Sequence, residues 1–272
     1  MAAEHLTRQQ VRAKYLELEK KHIFDQHVDP IDYSLVIPVT REYHYFPVGL
    51  KESLSRKARS FFVVKPFMSH VNRVLLETEV TGQENLKGIK SAIVTSNHVQ
   101  MFDCVALKKA MGRHYLNIVA ASFNNFKGTL GDGMRASGML PLPESYDGMP
   151  HFEETMKKCL LKKHYVLFFP EQSEWWYYPK VRPFKDGAFH YAVKFNVPVI
   201  PCFISFAPRK KEIRDPEGMY PQRMIVHILR PVYPLLEGTF QERRDWMKDQ
   251  AFSETKACYE KTYGRPLSYE EQ

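Results

Sequence analysis

From Glu77 onward, short runs of β-branched and aromatic residues alternate with longer stretches whose apolar positions recur at helical spacing. The runs predict strands at Glu77–Val80, Ala92–Thr95, Leu116–Ala120, Met139–Leu142, Tyr165–Phe169, Val199–Phe206 and Met224–Leu229, with Gly82 as a turn after the first. The stretches between them predict helices over about 103–111, 150–163 and 186–195, and a C-terminal helix over about 239–262. Strand–helix alternation of this kind predicts an α/β fold, one largely parallel central sheet flanked by helices.

Ahead of that rhythm the pattern differs, so residues 1–74 read as an N-terminal helical and irregular extension. Residues 6–22 place Leu6, Val11, Tyr15 and Leu18 on one side of a charged helix. Residues 28–50 are rich in Pro, Tyr and β-branched residues, which predicts an extended, irregular arm. A basic, aromatic segment follows from Leu54 through Phe67 to Leu76, with Pro66 as a kink or boundary. Two readings of it stand: a helix lying in a lipid interface, or a helix packed on the core with its arginines wet.

Composition narrows the setting. A chain of 272 residues fits one large domain with an extension. Cys104, Cys159, Cys202 and Cys258 are widely spaced, without a metal-ligand pattern, so they read as small buried residues of a reducing compartment. Neither metal nor cofactor is expected. The start of the chain has no signal-peptide pattern, and no window approaches the ~20 apolar residues of a membrane-crossing helix. A cytoplasmic protein, soluble or peripheral on a membrane, is therefore expected. The formal charge of +8 fits an anionic membrane surface or an anionic substrate; without a nucleic-acid motif, nucleic acid is not an expected partner.

The chemistry concentrates at Asn97-His98-Val99-Gln100-Met101-Phe102-Asp103, between a predicted strand and a predicted helix. Open α/β sheets place functional groups at such turns. Asp103, about one turn into its helix, is within reach of the His98 ring, and an imidazole held by a carboxylate on one nitrogen keeps the other for a hydroxyl proton. The alternative is a surface histidine beside a helix-capping aspartate. At Phe169-Pro170-Glu171 a buried strand delivers a carboxylate at its C-terminal end, where packing explains it poorly; an exposed loop glutamate is the alternative. Trp175, Trp176, Tyr177 and Tyr178 then stand beside Lys180, Arg182 and Lys185. They read either as a grip for an amphiphile with an anionic head or as a hydrophobic plug. Val197-Pro198-Val199-Ile200-Pro201 reads by itself as a stiff connection.

Taken in chain order, these segments resemble the lysophospholipid acyltransferase family, of the glycerol-phosphate acyltransferase fold. Asn97, His98 and Asp103 match its Asn-His-x4-Asp motif, and Val80–Leu86 resembles its lead-in strand and turn. Phe169–Glu174 meets the family's third motif in part, Pro183–Phe189 resembles its Phe-Lys-x-Gly segment, and Val197–Pro201 its fourth motif. The resemblance covers about residues 75–230, which puts an acyltransferase domain at 75–272, continuous with the extension.

That resemblance implies acyl transfer from acyl-CoA or acyl carrier protein to a lysolipid hydroxyl, by default 1-acylglycerol-3-phosphate, in phospholipid biosynthesis. His98 would be the general base and Asp103 its orienter; Asn97, Glu171, Gln172, Ser173, Arg182, Lys185 and Arg135 are the candidate substrate-binding residues. Two departures bear on the acceptor. Glu174 stands where many members carry arginine, and Ser137–Pro143 ends without the arginine of the second motif. Either Arg135, Lys180, Arg182 and Lys185 supply the positive field, or the acceptor is not a simple phosphate monoester but, for example, a glycolipid or a lipid-linked amine. A lipid-binding relative without turnover is the alternative from another class.

Overall fold

The structure, a computed structural model, describes residues 6–28 and 33–270; positions 29–32 of the predicted arm lie outside the described residues. Among the described residues seven strands form one sheet: β1 (Glu79–Thr81), β2 (Ala92–Ser96), β3 (Leu116–Ala120), β4 (Met139–Pro141), β5 (Tyr165–Phe168), β6 (Val199–Ala207) and β7 (Arg223–Ile228). Their spatial order is β1-β7-β6-β2-β5-β3-β4. From β6 to β4 every pairing is parallel, while β7 runs antiparallel to β6 and carries β1 alongside it. The mostly parallel α/β sandwich expected from the pattern is present.

Its centre is β2, buried at all five positions because both faces of the sheet are covered. Ala92 and Val94 face one apolar cluster that includes Leu107 and Ala110 of α4 (Asp103–Ala110) and Met111 just after it. Ile93 faces the other, built from Phe152 and Met156 of α6 (Met149–Leu161), Phe189 and Ala192 of α7 (Gly187–Phe195), and Met247 and Ala251 of α8 (Phe240–Tyr263).

One helix escapes the sequence pattern, α5 (Gly128–Ala136), between β3 and β4. Gly128, Gly131 and Gly133 lower its intrinsic propensity, yet Gly131 is required there. A Cβ at that position would lie 1.8 Å from the Phe126 carbonyl oxygen, so the helix start packs against its own lead-in only without a side chain.

The extension is well anchored. Thr7 and Gln10 form a reciprocal capping box that starts α1 (Arg8–Lys20), whose Val11, Tyr15 and Glu19 are buried at four-residue spacing. Farther on, α2 (Leu50–Arg59) and α3 (Lys65–His70) are joined and extended by π turns at Ser60–Val64 and Val71–Leu75, giving one helical rod over 50–75. Pro66 marks a boundary, between the first π turn and α3, without ending the rod. The proline occupies the first turn of α3, just after a π turn in which Lys65 N–H bonds the Ser60 carbonyl, so its missing N–H is accommodated. The rod rests on the body through Val64, Met68 and Val71, while Phe61, Phe62, Val63 and Phe67 stay exposed. The packed reading thus holds for one stripe of the segment, and its opposite face is apolar and uncovered.

Candidate active site

The turn after β2 carries His98, and α4 starts with Asp103, which brings the two side chains together at the C-terminal edge of the sheet. His98 Nδ1 lies 2.9 Å from Asp103 Oδ2. The same oxygen accepts the backbone N–H of Val99 at 2.6 Å and of Gln100 at 3.0 Å. An oxygen already taking two amide protons presents itself to the ring as an acceptor, so Nδ1 carries the proton and Nε2 keeps its lone pair. No described residue hydrogen-bonds Nε2. The aspartate is fully buried, whereas the histidine side chain keeps 22 % of its surface open.

Phe169, at the end of β5, supports the ring from one side: the two rings stack with centroids 3.9 Å apart and planes 14° apart. Burial pushes the imidazole down to about 4, Arg182 acts in the same direction, and Glu174 and Glu171 oppose it. Near neutral pH the ring is uncharged, as a general base must be. Burial raises the Asp103 carboxyl, and the Val99 and Gln100 amides work against that rise.

β5 lies next to β2 in parallel register, so its following loop delivers Glu171 beside His98. Glu171 Oε2 accepts the His98 N–H at 3.1 Å. It also pairs with Arg182, whose Nη2 lies 2.7 Å away, and Oε1 accepts the Arg182 N–H at 2.8 Å. Both side chains are fully buried. The remaining Arg182 bonds go to the carbonyls of Phe24, His98 and Ser173.

Other sequence candidates fall into structural roles. Asn97 is buried and fastens β2 to β6, exchanging hydrogen bonds with both backbone groups of Ile204. Ser173 Oγ donates to the Asp25 carbonyl. Gln172 is exposed, on a turn with φ +68°. Lys185 is exposed and pairs with Asp25 at 2.7 Å. Arg135 braces the loop before α5, bonding Asn125, the Phe126 carbonyl and Asp132. Lys180 pairs with Glu19 of α1.

The aromatic insertion is a plug. Trp175, Trp176 and Tyr178 are buried beneath α1, with Tyr15 stacked on Trp175 at 5.0 Å. The plug also touches the dyad's turn, because Trp175 N–H bonds the His98 carbonyl and Tyr177 N–H the Val99 carbonyl. Sequence reasoning missed the Phe169 stack and the role of residues 24–26; nothing in the local pattern marks backbone carbonyls as site elements.

Residues 77–205 match the family model for acyltransferases. An uncharacterized acyltransferase of Schizosaccharomyces pombe is 27% identical over 129 residues, 46% of each chain. The 1-acyl-sn-glycerol-3-phosphate acyltransferase alpha of Ovis aries is 25% identical over 183 residues, 65% of this chain and 62% of the relative. The chain thus spans less than two thirds of the length of either curated relative. The crystal structure of the 1-acyl-sn-glycerophosphate (LPA) acyltransferase PlsC from Thermotoga maritima shares the fold, with a TM-score of 0.55 and 21% identity over 78% of this chain and 83% of that one. The segment 77–205, which supplies the centre of the sheet and the His98–Asp103 pair, is thus similar to the acyltransferase family.

Proposed function

We propose that the protein is an O-acyltransferase, moving a fatty acyl chain from an acyl thioester, acyl-CoA or acyl carrier protein, to a lysolipid hydroxyl in glycerolipid synthesis. The observation that carries this reading is the His98–Asp103 pair: a neutral imidazole, its Nδ1 held at 2.9 Å and its Nε2 without a protein partner among the described residues. Nε2 takes the acceptor's hydroxyl proton as the oxygen attacks the thioester carbonyl. The tetrahedral intermediate collapses with loss of the thiolate, and the imidazolium returns its proton to that sulfur. The acyl chain passes directly between substrates, without an acyl-enzyme.

Lipid substrates fit a peripheral protein, and the 50–75 rod supplies the surface. Phe61 is 59 % exposed and Phe62 73 %, a cost in water that a lipid interface removes. Lys51, Lys57, Lys65 and Arg73 accompany them for anionic headgroups. Phe67 meets Phe102 of the dyad's turn, ring centroids 5.7 Å apart, so this face adjoins the reacting groups. In this reading residues 1–74 supply the membrane attachment and 75–272 the acyltransferase domain, on the cytoplasmic side of the membrane.

1-Acylglycerol-3-phosphate is the first acceptor to test, as named for the Ovis aries relative. A second acceptor class is favoured by one observation: Arg182, Arg135 and Lys185, the sequence's candidate phosphate clamps, all have acidic partners within the protein. A phosphate monoester gains most from an arginine fork that has no such partner, which favours a glycolipid, a lipid-linked amine or another non-monoester acceptor. Purified protein, labelled acyl-CoA and a panel of lysolipids separate these readings. Transfer to lysophosphatidate alone supports the first, transfer only to other heads the second, and binding without transfer to any acceptor contradicts both.

A further inference from the structure

Three consecutive backbone carbonyls of the extension, at Phe24, Asp25 and Gln26, are taken up by three side chains of the loop after β5. Arg182 Nη1 donates to Phe24 O at 3.0 Å, Ser173 Oγ to Asp25 O at 2.5 Å, and Trp175 Nε1 to Gln26 O at 3.1 Å. The Arg182 guanidinium lies 4.6 Å from the Trp175 ring centroid. The same loop holds the histidine from both sides of its backbone. Glu171 Oε2 accepts the His98 N–H at 3.1 Å; Arg182 Nη2 and the Trp175 N–H donate to the His98 carbonyl at 3.0 and 2.9 Å.

A residue that binds the acceptor must present a donor or a lone pair to the crevice. Glu171 and Arg182 have fully buried side chains, and their polar atoms meet one another, His98, Ser173 and Phe24. A buried ion pair is also a poor device for stability alone, since well-packed apolar residues often do as well. What this pair does geometrically is fix the peptide groups before and after His98. That sets the direction of the Cα–Cβ bond, and with Nδ1 held by Asp103 it sets where Nε2 stands.

We propose that Arg182 is a positioning residue for the transfer reaction: paired with Glu171, it clamps the His98 backbone and ties it to the segment 24–26. The proposal rests on the acyl-transfer reading above. It assigns Glu171 and Arg182 to the base rather than to the acceptor, and it makes the extension part of the active-site framework. Small displacements of a reacting group lower turnover by on the order of 10²-fold, while ground-state binding of a substrate that does not touch the clamp is unaffected.

The test uses the full chain with Arg182→Lys and with the double variant Glu171→Leu/Arg182→Met. The double change removes both charges together, which avoids a lone buried charge if the single variant folds poorly. Turnover in both is expected to fall on the order of 10²-fold with the acceptor KM within about twofold of wild type. Amide hydrogen exchange of residues 97–103 is expected to accelerate in both. A raised acceptor KM with kcat retained, or unchanged turnover and exchange in a folded double variant, overturns the proposal. His98→Ala, assayed alongside, separates the two levels: if it transfers acyl groups at the wild-type rate the acyl-transfer reading fails, while the exchange rates still decide the clamp.

Discussion

His98 and Phe169 lie face to face, 3.9 Å between ring centroids, at the ends of two adjacent parallel strands. The stack covers one face of the imidazole and leaves its edge accessible. It contributes both to the burial that keeps the ring neutral and to the rotamer that aims Nε2 outward.

Phe169→Ala is therefore expected to act twice. Removing the ring lets water reach the imidazole, so its proton affinity rises towards the ordinary histidine value, and it frees the side chain to rotate. A loss of turnover of about 10-fold or more, together with an acid limb moved to higher pH, is the expected pair of effects. The pH–rate profile of the variant checks it, and an unmoved limb would contradict the role given to the stack.

As the proposed general base His98 would work in its neutral form, and its value in the fold, about 4, lies below the ordinary 6.5. Activity thus persists as pH falls through 6.5 and is lost only at more acidic pH, where the dyad as a unit takes up a proton. The stability linked to this group declines over the same interval, from the ordinary value down to the folded one, because the unfolded chain binds the proton first. Steady-state kcat/KM between pH 5 and 8 should be nearly level on the acid side; a limb centred at or above 6.5 would exclude a desolvated base.

Asp103→Asn keeps the shape of the side chain and removes its charge. The oxygen that Val99, Gln100 and His98 share becomes a weaker acceptor, and an amide nitrogen turned towards Nδ1 would select the wrong tautomer. Turnover is expected to drop by about 10²–10⁴-fold with the melting temperature changed far less than for a core truncation. Single-turnover acyl transfer and a thermal melt check the two halves.

Trp175→Ala opens the plug between α1 and the dyad's turn. The ring is fully buried, stacked on Tyr15 and met edge-on by Tyr178. A loss of about 3–5 kcal/mol is expected from the cavity alone, measured by denaturant unfolding.

Membrane attachment has its own test. Phe61→Ser with Phe62→Ser removes two exposed rings that make no contribution to the packed stripe of Val64, Met68 and Val71. Binding to anionic vesicles is expected to weaken by at least about 10-fold, and wild-type binding to weaken in high salt. Vesicle flotation unaffected by either change would place attachment elsewhere.

The alternation of strands and helices was legible because the central strands are buried on both faces and read as short apolar runs. The dyad was legible because His98 and Asp103 are close in sequence and flank a strand-to-helix turn. Helix α5 was hidden by glycines whose reason is a close backbone approach, as at Gly131. The continuity of the rod through Pro66 depends on a π turn, a backbone adjustment with no composition signature. Arg182 was visible as a cation beside aromatics, but its partner Glu171 lies eleven positions away in a loop, and its other acceptors are carbonyls. Side-chain identity announces charge; which group will neutralise it is decided by tertiary geometry.

The acyl-transfer rate of purified His98→Ala, on the best acceptor from the lysolipid panel and in a preparation whose melt matches wild type, decides whether His98 is the base. Loss of the base predicts a fall of at least about 10²-fold. Transfer at the wild-type rate would contradict the assignment of His98 as the group that takes the proton.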